Sequence, residues 1–147
     1  MDERVLAYAA GIVDGEGSIF VHWPSGSCQS IALTVATLSY DLAEWLHRHF
    51  GGRIGVVNRK GFNKVGEPLR PVHRWRVNGV DAERVIELIR PFLVIKQKQA
   101  ALALVFRSLG GAGHKVSDEP FKNRATVAAA ISELNASGGC GSLVGEG

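Results

Sequence analysis

Two carboxylates, Asp14 and Glu16, lie among glycines at positions 11, 15 and 17. The uncharged segment 6–13 before them is predicted to be a short helix, so both acids fall at its C-terminal end, where the helix dipole disfavours a carboxylate by about 0.3–1 kcal/mol. A divalent cation would compensate, because Mg²⁺ prefers hard oxygen ligands and glycines let a metal and its substrate approach the backbone. The residues alone equally allow an ordinary turn between a helix and a strand.

The helix before these acids has a face of small side chains. Ala7 and Gly11 are four residues apart, which places them on the same side of a helix. Such a face leaves the backbone nearly bare, and a second helix can approach it closely. The pattern therefore predicts a helix-packing partner for this segment.

Positive charge is concentrated in the middle of the chain. The 147 residues carry a net charge of +3, but residues 46–80 hold eight Lys or Arg and a single acid, a net of +7, which leaves −4 for the remainder. A solvated charged surface is the usual explanation of such a run, whereas a single sign over a strand-rich segment indicates a polyanion site. We expect nucleic acid as the partner.

Length and cysteine content restrict the class of protein. A chain of 147 residues suits one domain. Cys28 and Cys140 are too few for a disulfide framework, and no Cys/His spacing resembles a zinc site. The sequence has no basic signal-peptide start and no apolar run near the ~18 residues that span a bilayer. We therefore expect a soluble, intracellular protein without a membrane partner, in a phage or bacterial host cytoplasm or in an organelle.

Periodicity and turn signals predict an α+β chain with two β-hairpins. The four strands are expected at 19–23, 28–36, 53–60 and 72–78, with a turn at 24–27. Ser39 is the predicted N-cap of a helix between the hairpins, and Asp81 is the predicted N-cap of a helix after them.

The remainder of the chain is predicted to be helical and then glycine-rich. Helices are expected at 95–109 and 120–135, joined by a linker at 110–113. We assign residues 1–136 to the domain and expect the segment 137–147 to be disordered.

Alternation along the strands predicts one core face and one open face. Ile31, Leu33 and Val35 suit the core, so the residues between them point the other way. In the third strand the alternation does not show which residues face the core and which face the open side. We place its ligand contacts at the even-numbered residues. The open-face side chains expected to contact the ligand are Ser18, Phe20, His22, Ser30, Thr34, Asn58, Lys60, Arg74 and Arg76.

The string from Ala9 to Gly17 resembles the signature of the LAGLIDADG homing endonucleases, with Glu16 at the second acidic place. The predicted order of helices and strands is similar to that fold over residues 5–135. The later segment from Pro91 to Ala100, with Lys96 near its middle, is similar to the part of the family that carries a basic active-site residue. No convincing second copy of the motif is found, so one chain corresponds to one subunit.

This resemblance implies an αββαββα LAGLIDADG fold, with a four-stranded antiparallel saddle-shaped sheet on DNA and additional C-terminal helices. It implies a homodimer that makes double-strand breaks with 3′ overhangs at a long near-palindromic site, as in intron or intein homing. Mg²⁺ is the implied cofactor, and Mn²⁺ is able to substitute. The implied catalytic residues are Glu16, Asp14 and Lys96, the metal positions Glu16 and Gly15, and the dimer contacts Ala7, Ala10, Gly11 and Asp14.

Two positions depart from the family pattern. Thr37 and Asp41 stand where some relatives have Gln and a basic residue, which weakens the expectation for water positioning or for the cleavage rate. Two alternatives therefore stay open: a maturase of the same fold that binds RNA and assists intron splicing, and a DNA-binding module that does not cleave.

Overall fold

The computed structural model describes residues 1–22, 29–109 and 118–144, without the side chains of 118–123 and 138–144. The predicted turn at 24–27, the predicted strand ends Trp23 and Cys28, and the linker at 110–113 lie outside the described residues.

The elements follow the predicted order, and the expected α+β fold is confirmed. They are α1 (Glu3–Glu16), β1 (Gly17–His22), β2 (Ser30–Thr37), α2 (Tyr40–Phe50), β3 (Arg53–Val57), β4 (Val72–Asn78), α3 (Gly79–Ile89), a 3₁₀ turn (Arg90–Phe92), α4 (Gln97–Ser108) and α5 (Asp118–Val144).

Local signals explain where the first helix begins and ends. The Asp2 carboxylate accepts the backbone N–H of Arg4 at 2.9 Å and so caps α1. At Gly17 the chain passes directly into β1, and a Cβ there would meet the Val13 backbone at 2.7 Å. Only glycine therefore fits this junction, which fixes Glu16 as the last residue of the helix.

Two helix boundaries after the first hairpin were predicted with different success. Ser39 caps α2 as expected, because its hydroxyl accepts the N–H of Leu42 at 3.3 Å. The predicted cap of α3 is wrong: this helix begins at Gly79, and Asp81 lies inside its first turn.

The four strands form one antiparallel sheet in the order β1-β2-β4-β3. The helices bury one face of it, and the side chains at the centre of this core are Trp75, Phe106, Ile19, Ile31, Leu33 and Leu46. Trp75 keeps its indole N–H paired, donating to the carbonyl of Gly51 at 2.7 Å. The described residues place no comparable apolar cover on the opposite face of the sheet, which carries the open-face residues.

The helix α5 packs along the outer edge of β1. Asn135 donates from its side-chain amide to the carbonyl of Ile19 at 2.8 Å, and Ile131 is buried beneath it. The helix starts before the expected position and continues to Val144, into the segment for which disorder was expected. The division of the chain at residue 136 stays a prediction.

Across the described residues, no helix combines the length and the apolar character that spanning a bilayer requires.

Candidate active site and nucleic-acid interface

The Asp14 carboxylate is held by backbone of the same chain. It accepts the N–H groups of Val94 at 2.7 Å, Ile95 at 3.2 Å and Lys96 at 2.9 Å. These residues lead into α4, whose first N–H groups have no partner within the helix. Asp14 therefore acts like a capping residue supplied from a distant part of the sequence, and both of its oxygens are occupied.

Lys96 completes the same junction from the other side. Its ammonium donates to the backbone carbonyl of Asp14 at 2.7 Å. The last turn of α1 contains no basic residue of its own, so Lys96 supplies the positive charge that a helix C-terminus favours. The structure thus brings Lys96 to the acidic motif, as the resemblance implied.

Glu16 is the free acid of the site. It is exposed at the end of α1, and it forms no hydrogen bond or ion pair with any other described residue. Gly15 beside it is also exposed, and a Cβ at that position would meet nothing within 4 Å. A ligand can therefore approach both the carboxylate and the backbone.

One chain alone does not enclose a metal. Within the part of the chain that the structure describes, no three His, Cys, Asp or Glu side chains come together as ligands. Mg²⁺ is usually held by one or two carboxylates together with substrate phosphates and water. A single free Glu16 fits that ion only when phosphate oxygens or a second carboxylate are added.

The exposed side of α1 is made of small residues. Ala7, Gly11 and Gly15 recur every four residues and are exposed, and a Cβ on Gly11 would meet nothing within 4 Å. Ala10 is different, because it is fully buried against the core of its own chain. Its side chain is therefore not open to a partner chain, and the place of Ala10 in a dimer interface stays a prediction.

Apolar side chains at the loop before α4 are exposed close to the acidic motif. Val94 and Ile95 are 82% and 70% exposed, and their backbone N–H groups are the ones bound by Asp14. Tyr8 is exposed on α1 itself, and its ring meets the edge of Trp45 at 4.9 Å between centroids. Sequence reasoning had not marked these three residues as surface.

The strand register places the expected open-face residues of three strands together. Ser18 lies opposite Thr34, Thr34 lies opposite Arg76, and the next row pairs Phe20 with Ala32. The residues of the predicted set that share this face are Ser18, Phe20, His22, Ser30, Thr34, Arg74 and Arg76. Their contact with DNA stays a prediction.

In the third strand the odd-numbered residues face the open side, whereas the even-numbered ones were predicted to do so. Ile54 pairs with buried Trp75, whereas Arg53 pairs with Arg76 on the open face. The strand ends at Val57, so Asn58 and Lys60 lie beyond it, and their placement on the sheet face is wrong. Arg53 was missed, and the signal that could have found it is its position next to the apolar Ile54.

Arg76 is the most constrained cation of the open face. Its guanidinium lies over the ring of Phe20, 5.5 Å from the centroid, and its Nε donates to the side chain of Asn78 at 2.7 Å. One terminal nitrogen, Nη2, is shielded from solvent and has no hydrogen-bond partner among the described residues. Asn78, which sequence reasoning did not select, therefore positions the arginine.

His22 lies on the same face. Burial, together with the positive charge of Arg76, lowers the pKa of the His22 imidazole. At pH 7 the ring is therefore mostly neutral, with one nitrogen that donates and one that accepts a hydrogen bond.

Solved structures similar to this chain are homing endonucleases. I-CvuI in complex with its target, in the presence of 2 mM Ca, has a TM-score of 0.71 at 20% identity, over 90% of this chain and 85% of I-CvuI. The archaeal intron-encoded I-Vdi141I, complexed with DNA, has a TM-score of 0.67 at 15% identity, over 91% of this chain and 86% of that one.

A third similar structure is I-SmaMI, bound to an uncleaved DNA target in the presence of calcium ions. Its TM-score is 0.56 at 21% identity, over 90% of this chain but 48% of I-SmaMI. No protein-family model matches the sequence, and a comparison with curated proteins finds no relative. This chain therefore has the α+β fold of the LAGLIDADG homing endonucleases.

Proposed function

We propose that this chain is a LAGLIDADG-type DNA endonuclease that works as a homodimer and uses a divalent metal. The observation that supports this most strongly is Glu16 at the exposed end of α1, which has no partner among the described residues. It lies two residues after Asp14, whose backbone carbonyl accepts from the Lys96 ammonium. The face of small residues on the same helix supports pairing with a second copy. A twofold axis along the paired helices would bring the two Glu16 residues together.

Two neighbouring carboxylates need a cation between them. At a separation of about 4 Å and an effective dielectric constant near 20, they repel by about 4 kcal/mol. Glu16 from each chain, with the open backbone at Gly15, would hold Mg²⁺ or Mn²⁺ against the DNA phosphates. When bound, such an ion activates a water molecule and stabilises the leaving oxygen of the phosphodiester.

The other two residues of the motif have distinct roles in this proposal. Asp14 is a positioning residue, because its oxygens are bound to the backbone before α4. The Lys96 ammonium has three N–H donors, and one of them bonds the backbone carbonyl of Asp14. The others could donate to a phosphate oxygen. In this way the α1 to α4 junction fixes both the acid and the cation of the site.

The open face of the sheet is the proposed DNA surface. Arg53, Arg74 and Arg76 lie side by side on it through the pairing of β3 with β4, and arginine suits phosphate and the major-groove edge of guanine. A dimer doubles this surface, which predicts a near-palindromic target. The resemblance to the LAGLIDADG homing endonucleases implies a double-strand break with 3′ overhangs at that target, as in intron homing. I-CvuI and I-Vdi141I, which share the fold, were solved with DNA.

The length comparison supports two copies of the fold per active unit. This chain matches 48% of I-SmaMI, so one copy of the fold accounts for about half of that chain. A homodimer would supply the second copy here.

A DNA-binding module that does not cleave is the second candidate. The hydroxyl of Thr37 accepts the N–H of Ser39 at 3.1 Å, and the nearby Asp41 is exposed and acidic. Thr37 does not offer the amide, and Asp41 does not offer the basic side chain, that some relatives have at these positions, which favours slow or absent cleavage.

Substitution of Glu16 distinguishes the two candidates. A duplex target is first selected from a randomised library, and cleavage with Mg²⁺ and binding with Ca²⁺ are then measured. We expect Glu16→Gln to abolish double-strand cleavage while DNA affinity stays within about threefold of wild type. Glu87→Gln, at an exposed acid on α3, serves as the matched control and should cleave like wild type. Cleavage by Glu16→Gln at the wild-type rate would refute the catalytic assignment, whereas a wild type that binds but never cleaves would establish the second candidate.

A further inference from the structure

One row of the sheet lies at the end where the acidic motif is found. Gly17, the first residue of β1, pairs with Val35, and two residues further along β2 Thr37 pairs with His73. Because β1 and β2 are antiparallel, that row is level with the residues just before Gly17, where α1 ends. His73 therefore lies at the same end of the sheet as Glu16.

The spacing of the strands gives the separation of the two positions. Only β2 lies between β1 and β4, and neighbouring strands are about 4.8 Å apart, so the backbone of His73 lies about 10 Å to the side of the line of β1. The side chain of His73 forms no hydrogen bond with Glu16 or with any other described residue. A separation of this size leaves room for a phosphate between the two side chains.

Packing holds the His73 ring without enclosing it. The side chain shares a face with Trp75, on the side of the sheet that the helices cover. Its ring meets the ring of Tyr40, the first residue of α2, at 75° and 5.4 Å between centroids. Its neighbour on β3, Val56, is 60% exposed. The ring is therefore half-buried, with packing on one side and an open edge on the other.

The two ring nitrogens of His73 have different surroundings. Nδ1 is shielded from solvent and has no hydrogen-bond partner among the described residues, whereas Nε2 is open to solvent. A neutral imidazole carries a hydrogen on one nitrogen and a lone pair on the other. When the hydrogen is on Nε2, the ring offers an N–H donor to a ligand at this end of the sheet.

We infer that His73 donates a hydrogen bond from Nε2 to a DNA phosphate oxygen at the cleavage centre and is a catalytic residue of this chain. The inference rests on the proposed function, since it requires the phosphate that is cleaved to lie beside Glu16. A donor aimed at a phosphate oxygen stabilises the negative charge that develops in the transition state. Thr37, the strand partner of His73, and Asp41, which follows Tyr40, carry no positive charge, so His73 would supply a donor that they do not.

Two substitutions separate the donor of His73 from the packing of its ring. His73→Phe keeps an aromatic ring against Tyr40 but removes both nitrogens, whereas His73→Gln removes the ring and places an amide N–H donor near the position of Nε2. Single-turnover cleavage of the selected duplex is measured with saturating protein and Mg²⁺. We expect the rate of His73→Phe to fall about tenfold to a hundredfold, as for a lost hydrogen bond to a charged group. His73→Gln should cleave at least about fivefold faster than His73→Phe, because it keeps a donor.

Folding and binding are measured on the same variants. His73→Phe removes a buried nitrogen that has no partner, so its free energy of unfolding in urea should equal or exceed that of the wild type. Its DNA affinity with Ca²⁺ should fall by a smaller factor than its cleavage rate. His47→Phe makes the same substitution at an exposed histidine of α2. It serves as the matched control and should cleave like wild type.

Several outcomes would overturn the inference. One is a wild-type cleavage rate in His73→Phe, and another is a His73→Gln variant that cleaves no faster than His73→Phe. Weaker binding with Ca²⁺ but an unchanged rate at saturation would place the contact of His73 away from the cleavage centre. A wild type that cleaves no duplex, or a Glu16→Gln variant that cleaves normally, would refute the proposed function together with this inference. Loss of cleavage in Glu16→Gln alone, with His73→Phe unaffected, would refute the role of His73 and leave the proposed function standing.

Discussion

Asp14 and Glu16 differ in role although they are two residues apart. Successive helical residues are rotated by about 100°, so these two side chains point to nearly opposite sides of α1. Asp14 turns inward to the backbone before α4, and Glu16 turns outward to solvent. One acid therefore organises the junction, and the other is left for a metal.

Substitution of Asp14 by asparagine tests whether its carboxylate holds the backbone before α4. Asp14→Asn keeps one acceptor oxygen but turns an amide donor towards the N–H groups of residues 94–96, so at least one of these N–H groups loses its charged acceptor. We expect the free energy of unfolding to fall by about 1–3 kcal/mol, whereas Glu16→Gln should change it by less than about 0.5 kcal/mol. Urea denaturation followed by circular dichroism measures both. Equal stability of Asp14→Asn and wild type would contradict the positioning role.

At the residue scale, the resemblance selected the two acids and Lys96 and assigned the metal to Glu16, but it did not show that Asp14 binds the backbone of residues 94–96. Nothing in the spacing of Asp14 and Glu16 tells which one the chain uses internally, because that depends on where residues 94–96 fold back. Asn78 was missed for a similar reason. Its bond to Arg76 at 2.7 Å depends on side-chain packing that the sequence does not specify.

Helix α1 has two packing faces, one within the chain and one exposed. Its buried residues are Leu6, Ala9, Ala10 and Val13, and its exposed small residues are Ala7, Gly11 and Gly15. Alanine suits either face, so the sequence did not show that the side chain of Ala10 packs into the core of its own chain. In β3 the adjacent apolar residues 54, 56 and 57 gave no clear alternation, and only the pairing of Ile54 with Trp75 resolves its parity.

Substitution of Gly11 by leucine tests the exposed face of α1. A Cβ there meets nothing within 4 Å, and leucine favours a helix over glycine by about 0.8 kcal/mol. We therefore expect Gly11→Leu to fold at least as stably as wild type but to sediment as a monomer and to lose double-strand cleavage. Ala129→Leu, at an exposed position on α5, is the matched control and should remain dimeric. A dimeric and active Gly11→Leu would show that the chains do not pair through α1.

In the whole molecule, the core, the cationic surface and the acidic motif lie in different places. The helices cover one face of the sheet, and the acidic motif lies at the end of α1. The cations of residues 46–80 lie mainly on the other face and in the segment 58–71 between β3 and β4. The sequence predicted the order of elements and both hairpins. It did not predict that β4 pairs with β2 at the centre of the sheet, because contacts between distant strands leave no local signal.

The most direct test of the account is the number of chains that act on one duplex. Native mass spectrometry of the wild type on its selected target with Ca²⁺ should show two chains per duplex, and replacement of Ca²⁺ by Mg²⁺ should convert that complex to a double-strand break. A single chain per duplex that still cuts both strands with Mg²⁺ would contradict the proposal that two Glu16 residues share the metals.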